Sequence, residues 1–362
     1  MEVRKFFIVG VFLSLFAVSS CREMKVKVIH SNPADHNQLA SYNGTLARIL
    51  VQYASAVNLS DLNKLFTWTC SRCNGLIEDF EIIELIVDVK HCLQAFVGFA
   101  ADLNATVIAF RGTNEKSIEN WVEDLFWKQL EIDYPGVDDA KVHHGFYSAY
   151  YETSLRPGIL DAVQKVKEMY GDIRIIVTGH SMGGAMAALC ALDLRLTRRE
   201  ENIQVMTFGQ PRIGNAAFAS YYSKIVPNTI RVTHGHDIVP HLPPYYSYFP
   251  QKTYRHFPRE VWLHYVGFGI LSYAVETVCD GSGEDPTCSR SVPGNSISDH
   301  LVYYGVQMKC DDEEMTVCKI LLDPSIAPYG KIDSDGNLLL SRNFSTPVVK
   351  LNMLQGDFTS SR

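Results

Sequence analysis

The sequence predicts an α/β fold with a mainly parallel central sheet flanked by helices, and three observations carry that prediction. Short apolar, β-branched runs alternate along the chain with longer segments of helical periodicity, as in successive strand–helix–strand units. One transition runs from Ile173-Arg174-Ile175-Ile176-Val177 through Thr178-Gly179-His180-Ser181-Met182-Gly183 into Gly184-Ala185-Met186-Ala187-Ala188-Leu189, setting a serine on a tight turn between strand and helix. With 362 residues, 46% hydrophobic and 20% charged, the chain can bury a core on both faces of such a sheet. A net charge of −7 without a basic cluster argues against a nucleic-acid partner. No internal repeat or low-complexity segment interrupts the pattern.

The elements follow in order. Arg4 and Lys5 precede the apolar run Phe6 to Val18, then Ser19 and Ser20. This reads as a signal peptide over residues 1–20 and predicts a product that is secreted or held along the secretory route, whether extracellular, in the ER or in a vacuole. An uncleaved anchor is the competing reading, and Val18-Ser19-Ser20-Cys21 also fits a bacterial lipoprotein box. Leu46, Ile49, Leu50, Tyr53, Ala54 and Val57 recur at helical spacing. Phe80 to Val89 alternates as a strand. Two further strands, 95–99 and 106–110, flank Asp102-Leu103-Asn104 as a hairpin. Ile159, Leu160, Val163, Val166 and Tyr170 mark a helix before the serine strand. After it, strands 204–208 and 229–233 enclose a helix around Ala216 to Ile225. Pro240 to Pro250 is a Pro/Tyr loop, Leu301 to Met308 reads as a closing helix, and the stretch from Asp311 loses periodicity and reads as peripheral. Asp333 to Asn337 reads as a turn, its glycine falling too early for a calcium loop.

Export agrees with the rest of the sequence. Four sequons begin at Asn43, Asn58, Asn104 and Asn343, candidate glycan acceptors in an exported eukaryotic chain. Cys70/Cys73, Cys279/Cys288 and Cys310/Cys318 are close pairs across polar or turn-like spacers, so three short disulfides are expected. Cys190 lies in the helix after the serine and reads as a core residue. Cys92 is left as a thiol, or else it bonds Cys70 or Cys73. A metal site is not expected, because no second C-x-x-C accompanies the first.

Gly179-His180-Ser181-Met182-Gly183 matches the G-x-S-x-G nucleophile elbow, a pattern short enough to arise by chance and given weight by its strand–turn–helix setting. In such a turn the serine hydroxyl projects from the sheet, and the helix N-terminus offers N–H groups to an oxyanion. A triad then needs an acid after a later strand and a histidine further on. Asp237 follows the strand ending at Thr233-His234. His241 stands too near that acid, and His256 and His264 lie in strand-like runs, which leaves His300. The competing reading makes Asp237 a turn residue and His300 a helix cap. Downstream of Arg111-Gly112-Thr113, the residues Ile118, Trp121, Val122 and Leu125 fall at i, i+3, i+4 and i+7, one apolar stripe with Glu119, Asn120, Glu123 and Asp124 on the other faces, which by periodicity alone reads as a surface helix packed on the core.

Taken together, Phe110-Arg111-Gly112-Thr113, Val142-His143-His144-Gly145-Phe146, Gly179-His180-Ser181-Met182-Gly183, Gly209-Gln210-Pro211-Arg212, Asp237 to Pro244 and Ser298-Asp299-His300-Leu301 resemble the class 3 lipases, the fungal-lipase-like α/β hydrolases. The resemblance spans about residues 40–310 and is specific in combination. It implies an α/β-hydrolase domain over residues 21–310 and a triad of Ser181, Asp237 and His300. The oxyanion hole would come from the backbone N–H groups of Thr113 and Met182, helped by the Thr113 hydroxyl. The stripe of Ile118, Trp121, Val122 and Leu125 matches the family's lid position. The implied substrate is a lipid ester met at a lipid–water interface, with transient contact to a membrane or droplet surface and no cofactor. Phospholipid or galactolipid hydrolysis, feruloyl-type esterase activity and a non-catalytic lipase-like interaction protein are the competing readings. His143 either borders the acyl site or is a core histidine. Cys70/Cys73 and Cys279/Cys288 resemble disulfides of the family. The runs around Trp121 to Pro135 and Gly281 to His300 look most like plant members. The family's fungal enzymes tie an N-terminal cysteine to one near the C-terminus. This chain has no such cysteine near Leu59, so Cys310–Cys318 is expected instead and 311–362 is read as a C-terminal extension.

Overall fold

The computed structural model describes residues 27–30, 42–113, 118–127, 131–246, 253–267, 273–309 and 324–342. The expected signal peptide, Cys21, the Cys310–Cys318 pair and the Asn343 sequon lie outside them. In chain order come β1 (Lys27–His30), α1 (Gly44–Ala56), α2 (Leu62–Phe66), β2 (Phe80–Asp88), β3 (Leu93–Ala100), β4 (Ala105–Phe110), α3 (Ile118–Trp127), β5 (Glu131–Asp133) and β6 (Lys141–His143). Then follow α4 (His144–Tyr151), α5 (Leu155–Tyr170), β7 (Arg174–His180), α6 (Met182–Asp193), β8 (Ile203–Phe208), β9 (Gly214–Asn215), α7 (Ala216–Ile225) and β10 (Thr229–His234). The remainder is β11 (Tyr254–Arg255), β12 (Glu260–Val266), β13 (Tyr273–Val278), α8 (Ile297–His300), β14 (Val302–Tyr303), β15 (Val306–Gln307), β16 (Gly330–Ile332) and β17 (Leu338–Ser341).

The main sheet has the order β1-β13-β12-β10-β8-β7-β4-β3-β2-β17-β16. Its centre, from β12 through β10, β8 and β7 to β4, is parallel. Beyond β4 on one side and β12 on the other, it continues with antiparallel hairpins. The central strands are buried on both faces, so β4 and β7 read as continuous apolar runs rather than as alternation. One core packs α3 to α7 against the first face through Val177, Phe110, Phe146, Leu189 and their neighbours. The other packs α1 and α2 through Leu50, Tyr53, Leu65, Phe96, Ile176 and Phe208. α6 is buried nearly all round, as its uninterrupted small and apolar sequence requires. Parallel strands bring their C-terminal ends to one edge, where a doubly covered sheet places its ligand crevice.

Local chemistry accounts for the helix starts. The Asn43 side chain accepts from Leu46 N at 3.1 Å, Asp61 from Lys64 N at 3.0 Å, and Asn215 from Phe218 N at 3.0 Å, each satisfying an orphan first-turn donor. Disulfides Cys70–Cys73 and Cys279–Cys288 form as expected. Neither Cys92 nor Cys190 is in a disulfide with another described residue. Among the described residues no helix is long and apolar enough to cross a membrane.

Three expectations are corrected. Leu301 to Met308 is not a helix but the β14–β15 hairpin, because Tyr304 and Gly305 both take positive φ (54° and 77°), the geometry of a two-residue primed turn. The segment past Asp311 is not wholly peripheral, since β17 pairs antiparallel with β2 and carries β16 with it. Asp333 to Asn337 is the turn between them, with Asp333 accepting from the N–H groups of Asp335 and Asn337. Asn58 is buried, and its Nδ2 donates to Ala54 O at 2.8 Å, which leaves no room for a glycan in the folded chain; Asn43 and Asn104 are exposed. Because Leu340 is buried in the second core, Leu340→Ala is expected to lower stability by about 2–4 kcal/mol in chemical denaturation. An unchanged midpoint would make β17 a passive tail.

Candidate active site

Ser181 closes β7 and caps α6 with φ 58° and ψ −129°, a left-handed-side conformation that costs a non-glycine residue free energy. Close approach explains why it holds. A Cβ on Gly179 would lie 2.4 Å from the Gly183 carbonyl, and one on Gly183 would lie 2.3 Å from Phe110 O. Both glycines are therefore required by contact, and the strain falls on the serine. Ser181 N donates to Phe208 O at 2.9 Å, tying the turn to β8.

Asp237 follows β10 as expected, and its backbone bridges Ser296. That link brings α8 and His300 over the turn. His300 Nδ1 lies 2.9 Å from Asp237 Oδ2, and both side chains are almost fully buried. A carboxylate accepts only, so Nδ1 carries the proton and Nε2 is left as an acceptor. Ser181 Oγ and His300 Nε2 are both buried and have no hydrogen-bond partner among the described residues. Such contacts tighten once substrate is bound.

Two neighbours position this histidine. His180, one residue before the serine, donates from Nε2 to the His300 carbonyl at 2.8 Å, and the two rings stand 4.3 Å apart. Burial, then the charge of His300, push the His180 pKa far below its ordinary value, so it stays neutral beside that ring. Gly209 (φ 57°) makes room for the pair: a Cβ there would lie 2.9 Å from both Asp237 Oδ2 and His300 Nδ1.

Sequence reading missed Tyr303. Its hydroxyl donates to Asp237 Oδ2 at 2.5 Å, while Val239 N donates to Oδ1 at 2.8 Å. Burial and then the Asp237 charge raise the Tyr303 phenol well above its ordinary pKa, so it remains a donor throughout the working range. The available signal was the Tyr three residues after His300, hidden by reading that stretch as a helix.

The expected oxyanion residues meet beside the turn. A Cβ on Gly112 would touch His180 O at 2.7 Å and Ser181 Cβ at 3.3 Å, so the loop carrying Thr113 lies against the serine. Thr113 Oγ1 reaches Met182 Sδ at 3.7 Å. Met182 N opens α6 and is one of the first-turn amides that lack an intrahelical acceptor. α3 follows, with Ile118, Val122 and Leu125 buried in the same core as Phe110 and Phe146, and with Trp121 partly buried 6.3 Å from the Phe146 ring. The predicted stripe therefore faces inward; residues 114–117 lie outside the described structure. His143 packs 4.4 Å from Phe146 with neither ring nitrogen partnered among the described residues, and burial, then His144, lowers its pKa to about 4.

A buried ion network holds the acid loop. Arg212 donates to Glu284 at 2.8 and 2.9 Å, and to the carbonyls of His241 at 2.6 Å and Pro243 at 3.0 Å. Burial alone would raise the Glu284 carboxyl, but Arg212, the His256 N–H and Arg231 outweigh it and hold its pKa below the ordinary value.

A serine on a strand-to-helix turn, an acid after a later strand and a histidine beyond it, on a parallel sheet, define the α/β-hydrolase class. The class 3 lipase family model, "Lipase (class 3)", matches residues 107–247. A lipase of Rhizomucor miehei is 37% identical over 66% of this chain and 62% of that protein. The secreted mono- and diacylglycerol lipase 1 of Fusarium solani is 30% identical over 70% of this chain and 74% of that protein. Among solved structures, the native Rhizomucor miehei lipase propeptide complex superposes with a TM-score of 0.63 at 32% identity, over 74% of this chain and 83% of that one. The chain belongs to the class 3 lipase family. It spans 62% of the length of the curated Rhizomucor relative and 66% of two Rhizopus lipases.

Two predictions follow from this geometry. Tyr303→Phe removes a donor to a charged acceptor, so kcat/KM is expected to fall about tenfold. The acid limb of its rate–pH profile should also move to higher pH, because a less neutralised carboxylate favours the protonated imidazole. A uniform loss with an unmoved limb would reduce Tyr303 to packing. Arg212→Met leaves Glu284 buried without its partner and is expected to cost about 3–5 kcal/mol. Arg212→Met/Glu284→Leu should recover part of that loss in the same denaturation measurement.

Proposed function

We propose that this chain is an exported serine hydrolase that cleaves carboxylic esters of lipids through an acyl-enzyme on Ser181. The observation that carries the reading is the buried Asp237–His300 pair beside a buried Ser181 hydroxyl that has no partner among the described residues. His300 Nε2 takes the Ser181 proton as Oγ bonds the ester carbonyl carbon. Asp237 holds the Nδ1 proton and offsets the imidazolium charge. The carbonyl oxygen becomes an oxyanion facing the N–H groups of Thr113 and Met182. His300 then returns the proton to the departing alcohol. A water molecule, deprotonated by the same nitrogen, attacks the acyl carbon, releases the fatty acid and restores Ser181.

α3 serves as a lid. Ser181 and His300 are both 0% exposed, so substrate reaches them only after something moves. α3 adjoins the site in sequence and buries an apolar stripe that a lipid phase can accept instead. A solved fungal lipase–inhibitor complex, 31% identical, carries a model for interfacial activation, which supports the same role here. Export is supported by two disulfides and by the Fusarium relative being named a secreted lipase.

Ser181→Ala is expected to lower ester hydrolysis about a million-fold while leaving thermal unfolding in place. The assay sets triolein emulsion, phosphatidylcholine, galactolipid and methyl ferulate side by side, and retained activity would remove Ser181 from the mechanism. Trp121→Ala and Ile118→Asp should depress hydrolysis of emulsified long-chain ester far more than that of a dissolved short-chain ester. Equal losses on both would argue against a lid.

A further inference from the structure

The β12–β13 hairpin breaks the rule that a solvated strand end is polar. Side-chain burial falls along β12 from Glu260 to its end, where Tyr265 is 65% and Val266 38% exposed; across the ladder, Tyr273 is 44% exposed. Val266 pairs with Tyr273, and Tyr265 with Ala274. Alternation puts Tyr265 on one face of the ribbon and the Val266–Tyr273 pair on the other. Apolar residues are therefore exposed on both faces of the tip, with no charge among Tyr265, Val266, Gly267, Tyr273 and Ala274. A ribbon that docks into a protein groove needs only one such face. One that enters a fluid apolar phase uses both.

Its place in the fold says which phase. β12 runs parallel to β10, and their pairing ends at His234↔Leu263, so His264 to Val266 project past β10. That is the edge at which β7 delivers Ser181 and β10 delivers Asp237. On the other side of these strands, the chain leaving β4 at the same edge forms α3, which ends in a second exposed aromatic pair, Phe126 and Trp127, with ring centroids 4.7 Å apart. β12 and β4 are four strand spacings apart, about 19 Å, with the candidate active site between them. An apolar tip exposed on both faces, at the edge that delivers Ser181 and Asp237, fits an extended surface rather than a groove.

We propose that the β12–β13 tip, through Tyr265, Val266 and Tyr273, is a fixed anchor that seats the candidate active site on an uncharged or zwitterionic lipid surface. This rests on the hydrolase reading above and names the partner of its site. The anchor is part of the rigid sheet and so acts whether or not α3 moves. With no charged side chain among residues 265–267 and 273–274, and with the neighbouring Arg48 paired to Glu276 at 3.1 Å, binding should depend little on ionic strength.

The test is flotation of the full chain carrying Ser181→Ala with triolein emulsion and, separately, with phosphatidylcholine vesicles. Adding Tyr265→Ser, Val266→Ser and Tyr273→Ser together should weaken binding roughly tenfold or more, at low and high salt alike. Leu196→Ser, an exposed apolar position on another element, should not. With Ser181 restored, the triple variant should keep its melting temperature and its kcat/KM on a dissolved short-chain ester while losing rate on emulsion. Unchanged flotation overturns the proposal, as does a triple variant that loses soluble-ester activity and melting temperature together. A shift from dimer to monomer in gel filtration with lipid binding intact would assign the tip to a second copy and also overturn it. Loss of flotation in a chain that hydrolyses no ester even with Ser181 present would leave the anchor standing and sink the hydrolase reading instead.

Discussion

One buried carboxylate organises the end of the sheet where the parallel strands stop. Asp237 accepts from His300 Nδ1, from the Tyr303 hydroxyl and from Val239 N, three donors brought by α8, the β14–β15 hairpin and its own loop. A charge so far from water is tolerated only when its lone pairs are filled, and here filling them is what sets the geometry. The imidazole is fixed in tautomer and plane, and the hairpin is locked against the sheet. The same arrangement explains the neutral His180, which tethers the His300 backbone without adding a positive charge beside it.

The elements around that carboxylate are themselves held by polar groups out of contact with the reacting atoms. Arg212 spans from the Gly209-Gln210-Pro211-Arg212 turn to the carbonyls that shape the acid loop, and pairs with Glu284 from the disulfide-closed segment. Arg231 and Glu260 extend the network beneath β10 and β12, with Thr233 donating to Glu260 at 2.8 Å. Buried ion pairs of this kind contribute little net stability. Their role here is registry: Arg212–Glu284 joins two loops, and Arg231–Glu260 joins β10 to β12.

At the edge of the sheet, the polarity reverses. α3 turns an apolar stripe inward and leaves Phe126 and Trp127 outside, and the β12–β13 tip leaves Tyr265, Val266 and Tyr273 outside. In water these exposures are unfavourable, and in a lipid phase they are not. The side where the parallel strands end therefore holds both the buried Ser181, Asp237 and His300 and the exposed β12–β13 tip.

Much of this was legible in the residues alone. The serine turn, the hairpin before it and the parallel alternation are local, because propensity and period are written in adjacent positions. Ser181, Asp237 and His300 were singled out by a chain order that follows the order of strands, and the structure brings Asp237 and His300 together. The β14–β15 hairpin was not legible: Leu301 to Met308 is apolar at spacings that suit a helix, and only the positive φ of Tyr304 and Gly305 overrides that period. Tyr303 was missed with it, since its role is a contact to a carboxylate 66 positions away. Likewise the short run Leu338 to Ser341 has no local mark of belonging, and becomes a strand because β2 offers an unpaired edge. What the sequence determined by itself is therefore what one segment can specify: strand, elbow, helix and the residue types of the site. The tertiary structure decided which distant donors meet the buried carboxylate, which sequon is sealed in the core and which apolar side chains stay in water. Those depend on contacts between segments far apart in the chain, and on the cost of leaving a buried polar group or a strand edge unpaired.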